Sequence, residues 1–308
     1  RLYRVLDAPD AGSTLQLLPA QTTSSAATHT VALYRSPTSG AFYVLVGDGT
    51  GQYQQRAVQL QQDGTLVVPA QPLRVLDVQA PSRAAVADDA EAALYIGDDE
   101  GRLWRFGAEP DSGDAGVLVA SAAVDGGLPA QAVTGVAVYA LAGGGGFLVT
   151  SSEVDRRFTV LDRAPPHAAR GSFELVRDGG VDDVAGSRGL ALASSSLLPG
   201  YAGGLLAAHD PLNEGGAENL KLVAWNSVAQ AFTPPLDSSG PDAGADGGTP
   251  DAGVPPSGGG VLPPGVGGVV PPGADDDGPA CSCAASSVPG AALLGLLAVL
   301  LRRRRGGR

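Results

Sequence analysis

The feature that most restricts this chain is a self-similar unit that recurs along its first 233 residues. Each unit holds three apolar runs separated by polar turns. The middle runs are Ala41-Phe42-Tyr43-Val44-Leu45-Val46, Ala93-Leu94-Tyr95-Ile96, Gly146-Phe147-Leu148-Val149 and Gly204-Leu205-Leu206-Ala207-Ala208. A run such as Arg102-Leu103-Trp104-Arg105-Phe106 or Arg157-Phe158-Thr159-Val160-Leu161 follows each turn. Upstream lie Thr30-Val31-Ala32-Leu33-Tyr34, Ala84-Ala85-Val86-Ala87, Gly135-Val136-Ala137-Val138-Tyr139 and Gly189-Leu190-Ala191-Leu192. Short apolar runs punctuated by Gly, Asp, Ser and Pro predict strands, and no helix of ordinary length is indicated. A period of roughly 50 to 55 residues is at the upper end of propeller-blade spacings. One such blade cannot bury both of its faces, so the repeats are expected to stack radially, as an all-β propeller. A two-sheet β-sandwich with coincidental spacing is the alternative.

Four units are legible, whereas a closed ring of six at this period takes about 310 residues. The first blades are therefore expected to be missing, and the lack of any Met, including at position 1, points the same way. A secretory signal peptide would then lie outside the sequence.

Composition divides the rest of the chain. Hydrophobic residues make up 44% of the sequence, enough for a core over part of its length. From Pro234 to Ala280 the chain becomes Pro, Gly, Asp, Ala and Ser, with Pro241-Asp242-Ala243-Gly244 repeated as Pro250-Asp251-Ala252-Gly253. Ordering such a stretch costs backbone entropy and buries little, so residues 234–280 are expected to form a disordered linker. Residues 281–308 hold Cys281-Ser282-Cys283, the apolar run Pro289 to Leu301 and Arg302 to Arg305. The uncharged stretch from Ala284 reaches the lower limit for a membrane-spanning helix, and the arginines would hold its end in the cytoplasm. This tail resembles the myxobacterial C-terminal sorting tails, which implies export, processing or anchoring at Cys281 or Cys283, and retention at the cell surface or outer membrane.

The formal charge of −12 includes the arginine-rich tail, so the body is more acidic still. Such a body repels polyanions, and nucleic acid is not an expected partner. Both cysteines lie outside the repeats, which leaves the ectodomain without a disulfide or a thiolate metal site. His29, His167 and His209 lie in no nucleophile motif and Gly-x-Ser-x-Gly is absent. The glycines from Gly143 to Gly146 lack the Lys-Ser/Thr of a phosphate loop and read as a hairpin turn.

What remains is carboxylate: Asp88-Asp89, Asp98-Asp99-Glu100, Asp182-Asp183 and Asp210. Hard oxygens on loops suit calcium. Acidic pairs are equally common as turn residues.

The run Ala87-Asp88-Asp89, Leu94-Tyr95-Ile96-Gly97-Asp98-Asp99, Leu103-Trp104-Arg105-Phe106 and Ala108-Glu109-Pro110-Asp111 resembles the β-propeller phytases. The likeness extends from His29 to Gly40 and ends at Asn219-Leu220-Lys221-Leu222-Val223-Ala224-Trp225. It implies a six-bladed propeller whose carboxylates bind calcium at the channel mouth and hydrolyse phytate or a related phosphomonoester. Asp98 and Asp99 keep the place of the family's paired glutamates and Asp210 that of a family aspartate, so these three are the candidate calcium ligands. Elsewhere the family's acids are replaced by Arg83-Ala84, Thr134 and Arg188-Gly189-Leu190-Ala191, and its Lys-Glu pair by Gly49-Thr50. An arginine where a ligand belonged reverses the local charge. Two readings follow: a calcium-dependent phytase-like hydrolase, or a non-catalytic, surface-anchored propeller that binds or supports. In a third, Arg83 and Arg188 contact an anion instead. A monomer is expected.

Overall fold

A computed structural model describes residues 28–238, apart from 64, 122–127, 129–130, 179 and 197–199, together with short strands on either side. Two of these, β1 (Tyr3–Val5) and β2 (Leu15–Leu17), pair antiparallel ahead of the first repeat. Blade 1 then holds β3 (Thr30–Arg35), β4 (Phe42–Gly47) and β5 (Gln52–Leu60), with β6 (Leu66–Val67) and β7 (Arg74–Asp77) both on the outer edge of β5. Blade 2 is β8 (Ser82–Asp88), β9 (Ala93–Asp98), β10 (Arg102–Gly107) and β11 (Val117–Ser121). Blade 3 is β12 (Gly135–Ala140), β13 (Gly146–Ser152), β14 (Arg157–Asp162) and β15 (Ala169–Val176). Blade 4 is β16 (Leu190–Ala193), β17 (Leu205–Asp210) and β18 (Asn219–Ala224), followed by helix α1 (Trp225–Gln230).

Every blade is an antiparallel meander in sequence order, and the first strands of successive blades pack on one another: β3 on β8, β8 on β12, β12 on β16. This is the propeller arrangement the repeat predicts, not two stacked sheets. The apolar runs of the repeats fall in the first three strands of the blades, except that β5, the third strand of blade 1, is largely polar, and the outer strands complete blades 1 to 3.

Burial follows from the stacking. β9 and β13 are buried at every residue, because in the middle blades both faces of a sheet meet a neighbour. β17, in blade 4, alternates between buried and half-buried residues, the period-2 pattern of a strand covered mainly on one face. Each blade boundary has its own apolar cluster. Tyr34, Leu45, Tyr53 and Leu76 of blade 1 meet Leu94, Ile96 and Phe106 of blade 2. Ala84, Tyr95 and Leu103 meet Val136, Leu148 and Leu161 of blade 3. Tyr139, Phe147 and Phe158 meet Leu206, Val223 and Trp225 at the last boundary.

Aromatics are few, and they are used there. Trp225 stacks on Tyr139 with ring centroids 4.2 Å apart, an arrangement that adds about 0.5–1.5 kcal/mol to the area it buries. The Tyr139 hydroxyl donates to the Gly203 carbonyl at 2.6 Å, so burial does not strand it. Burial, with Asp237 nearby, pushes its pKa up to about 12.

Beyond residue 238 three short strands are described. β19 (Gly268–Val270) pairs with β15, β20 (Ser286–Val288) with β18, and β21 (Ala298–Val299) with β1. The expected disordered linker, the processing cysteines Cys281 and Cys283, and the expected C-terminal helix otherwise lie outside the described residues. Among the described residues no helix is long and apolar enough to cross a membrane.

Candidate functional site

In every blade the start of the first strand lies beside the end of the second: Thr30 opposite Gly47, Ser82 opposite Asp98, Gly135 opposite Ser151, Leu190 opposite Ala208. Stacking the blades in one orientation brings these ends to a common front rim. Contacts across the blade boundaries hold it together. The Tyr53 hydroxyl meets the Ser82 hydroxyl, the Val133 amide donates to the Asp98 carbonyl at 2.9 Å, and the Thr134 hydroxyl donates to the Ser187 carbonyl at 2.7 Å. Asp98, Asp99, Asp210, Arg83 and Arg188 all stand on this rim, in blades 2 and 4.

The turn between second and third strand is built alike in all four blades. Its first polar side chain accepts a backbone N–H two to four residues on: Thr50 to Asp48 at 2.8 Å, Glu100 and Arg102 to Asp98 at 2.9 and 3.0 Å, Asp155 to Ser152 at 3.3 Å, Leu212 to Asp210 at 3.2 Å. Two of the acids that resemble metal ligands, Asp98 and Asp210, are thus also residues that fold the hairpins, as short polar side chains commonly do. In blade 1 the turn explains the departure at Gly49. Its φ is +84°, and a Cβ there would lie 2.8 Å from the His29 ring, so a lysine in this place would be strained.

Each candidate ligand also has a cation of the chain beside it. Asp98 is wholly buried and accepts two further bonds at its other oxygen, from Arg102 Nε at 2.7 Å and Trp104 Nε1 at 2.9 Å. Asp99 accepts from Arg83 Nη2 at 2.8 Å, through the residue that stands where the family carries an acid. Asp210, also wholly buried, has Lys221 Nζ 3.0 Å from its Oδ2. Lys221 is itself 1% exposed and bonds Asp182 and Asn213 as well. Burial opposes the charge on Asp182, but Lys221 and the Glu214 N–H outweigh it and hold its carboxyl below the ordinary range. Arg188 donates to Glu153 at 2.8 Å and lies 3.9 Å from Glu218, which His209 Nε2 approaches at 3.1 Å.

This donor set does not fit calcium. The ion takes six to eight oxygens. Both oxygens of Asp98 are filled by hydrogen bonds, Asp210 Oδ2 faces Lys221 Nζ at 3.0 Å, and Asp99 Oδ1, which accepts no hydrogen bond, sits in a different blade from Asp210 on a carboxylate that Arg83 already meets. Among the described residues no three His, Cys, Asp or Glu side chains converge to hold a metal. Sequence reasoning missed Arg102, Lys221, Asp182, Glu153 and Glu218 as partners. Two of them were signalled: Arg102 lies four residues past Asp98 across a tight turn, and Lys221 is the diagonal cross-strand neighbour of Asp210.

The Asp88-Asp89 pair works elsewhere. Asp88 stands at the far end of β8, on the back rim, where Arg163 of blade 3 grips it with Nε at 2.5 Å and Nη2 at 2.6 Å, both side chains buried. Asp89 accepts the Arg35 amide of blade 1 at 2.9 Å. Glu109 accepts the Tyr34 and Ser36 hydroxyls of blade 1, each at 2.7 Å. These residues of the resemblance tie blades to one another.

Four stacked meanders with a shared rim define a β-propeller. The family described as Phytase matches residues 16–241, and the chain belongs to that family. It is 30% identical over 202 residues to the 3-phytase of Bacillus subtilis (strain 168), a match covering 64% of this chain and 52% of the relative. The chain thus spans about half the length of the curated relative it matches.

Proposed function

We propose that this chain supplies four blades of a phytase-like phosphomonoester hydrolase, which receives phytate or a related small phosphorylated molecule at the front rim. The observation that carries the reading is the match across residues 16–241, which runs through all four blades whose strand ends meet at that rim. Arg83 and Arg188 are the residues suited to phosphate oxygens. Their side chains are 53% and 55% exposed, and a guanidinium has five N–H donors, of which Asp99 engages only two of Arg83's. An ester phosphate could use the remaining edge without breaking the ion pair. Phytate binding to the full-length protein should weaken when both arginines are replaced by Ala, and unchanged binding would remove this contact from the account.

A second reading, a non-catalytic propeller that binds or supports at the cell surface, is favoured by the ion-paired state of Asp98, Asp99 and Asp210. Phosphate release from phytate by the full-length protein, measured in chelator and in calcium, separates the two. Turnover supports the hydrolase, and binding without turnover supports the module. In both readings the protein is exported and held at the surface through residues 281–308. Protease shaving of intact cells should release the propeller, and protection of the propeller would overturn this placement.

A further inference from the structure

The acids of the front rim are charge-balanced in a way neither of these readings requires. We propose that in these four blades the chain's own cations, Arg83, Arg102 and Lys221, take the charge-balancing place of a divalent metal, so that Asp98, Asp99 and Asp210 bind no calcium.

Three observations carry this. The first is occupancy: Asp98 accepts four hydrogen bonds from Glu100 N, Arg102 N, Arg102 Nε and Trp104 Nε1, which leaves no lone pair for a metal. The second is position. Arg83 and Asp99 face each other across the β8–β9 pair at 2.8 Å, so an ion approaching Asp99 Oδ2 would meet a fixed guanidinium charge first. The third is burial: Lys221 Nζ sits beneath the rim, beside both Asp182 and Asp210, where solvent does little to screen it. Dislodging any of the three cations would leave a charge without its partner. A cation built into the chain is also always present, whereas a bound ion depends on its concentration. The inference concerns these side chains alone and holds whether or not the protein hydrolyses phytate.

The test is calcium-dependent thermal stability of the full-length protein, with terbium as a second probe, because the Trp104 indole bonded to Asp98 would sensitise a lanthanide bound there. Asp99→Asn and Asp210→Asn should leave the calcium response of the melting temperature equal to that of the unaltered protein, whatever response other parts of the protein supply. Arg83→Glu places two carboxylates together and should melt lower in chelator and gain several degrees from millimolar calcium. Should it fail to fold, Arg83→Ser frees Asp99 with less repulsion and should show a smaller gain. Terbium emission excited through tryptophan should not differ between the unaltered protein and Asp99→Asn. A calcium response or terbium emission that falls in Asp99→Asn or Asp210→Asn would overturn the proposal, as would arginine variants whose calcium response matches the unaltered protein's.

Discussion

The two rims of this propeller use the same residue types to opposite ends. On the back rim, carboxylates reach across blade boundaries: Asp88 is buried with Arg163, and Glu109 is half-buried against Tyr34 and Ser36. On the front rim most pairs stay within a blade, Arg102 with Asp98, Arg83 with Asp99 and Lys221 with Asp210, and the arginine of the Asp99 pair stands largely in solvent. A buried pair that joins blades is part of the assembly of the arc. An exposed pair such as Arg83 with Asp99 can be exchanged with little effect on the fold, which leaves that part of the front rim free to change its chemistry, whereas Lys221 with Asp210 is as buried as the back-rim ion pair.

The largest effect should come from Arg163→Ala, which strands the Asp88 charge between blades 2 and 3 and should cost about 3–5 kcal/mol in urea unfolding. A loss below about 1 kcal/mol, the scale of a solvent-exposed pair, would erase the distinction between the rims. Next, Glu109→Ala removes a charged acceptor from two hydroxyls and should cost about 1.5–3 kcal/mol. A third test uses acid. Because Asp182 titrates below its ordinary value near 3.9, its ionised form is favoured in the fold. Its contribution is therefore complete above that value and is lost as pH falls through it toward the lower folded value. Asp182→Asn should flatten the acid limb of a stability-against-pH curve in that window, and an unchanged limb would show that Lys221 does not hold this carboxylate. Smallest of all, Arg83→Ala should change stability by no more than about 1 kcal/mol, since the guanidinium is largely exposed.

The blades were legible because their first two strands, and the third in blades 2 to 4, carry the apolar runs that repeat. The outer strands were not singled out. β11 has Val117 and Leu118 exposed, and β15 opens on exposed Ala169-Arg170 and alternates only in its second half, around Phe173 and Leu175, so neither begins with a buried apolar run. The rim acids were legible as a group, since turn position and family likeness both flag them, but their partners were not. Asp88 and Arg163 lie 75 residues apart, and only the stacking of blades brings them together. Whether an acid binds a metal or a guanidinium depends on what faces it, and Arg83 announced that reversal only through its position.

On this proposal the front-rim acids are neutralised from within the chain. Crystals of the full-length protein soaked in a lanthanide test it directly, through anomalous scattering. No peak is expected within bonding distance of Asp98, Asp99 or Asp210, with Arg83, Arg102 and Lys221 still paired to them. A peak on any of these carboxylates, with its cation displaced, would contradict it.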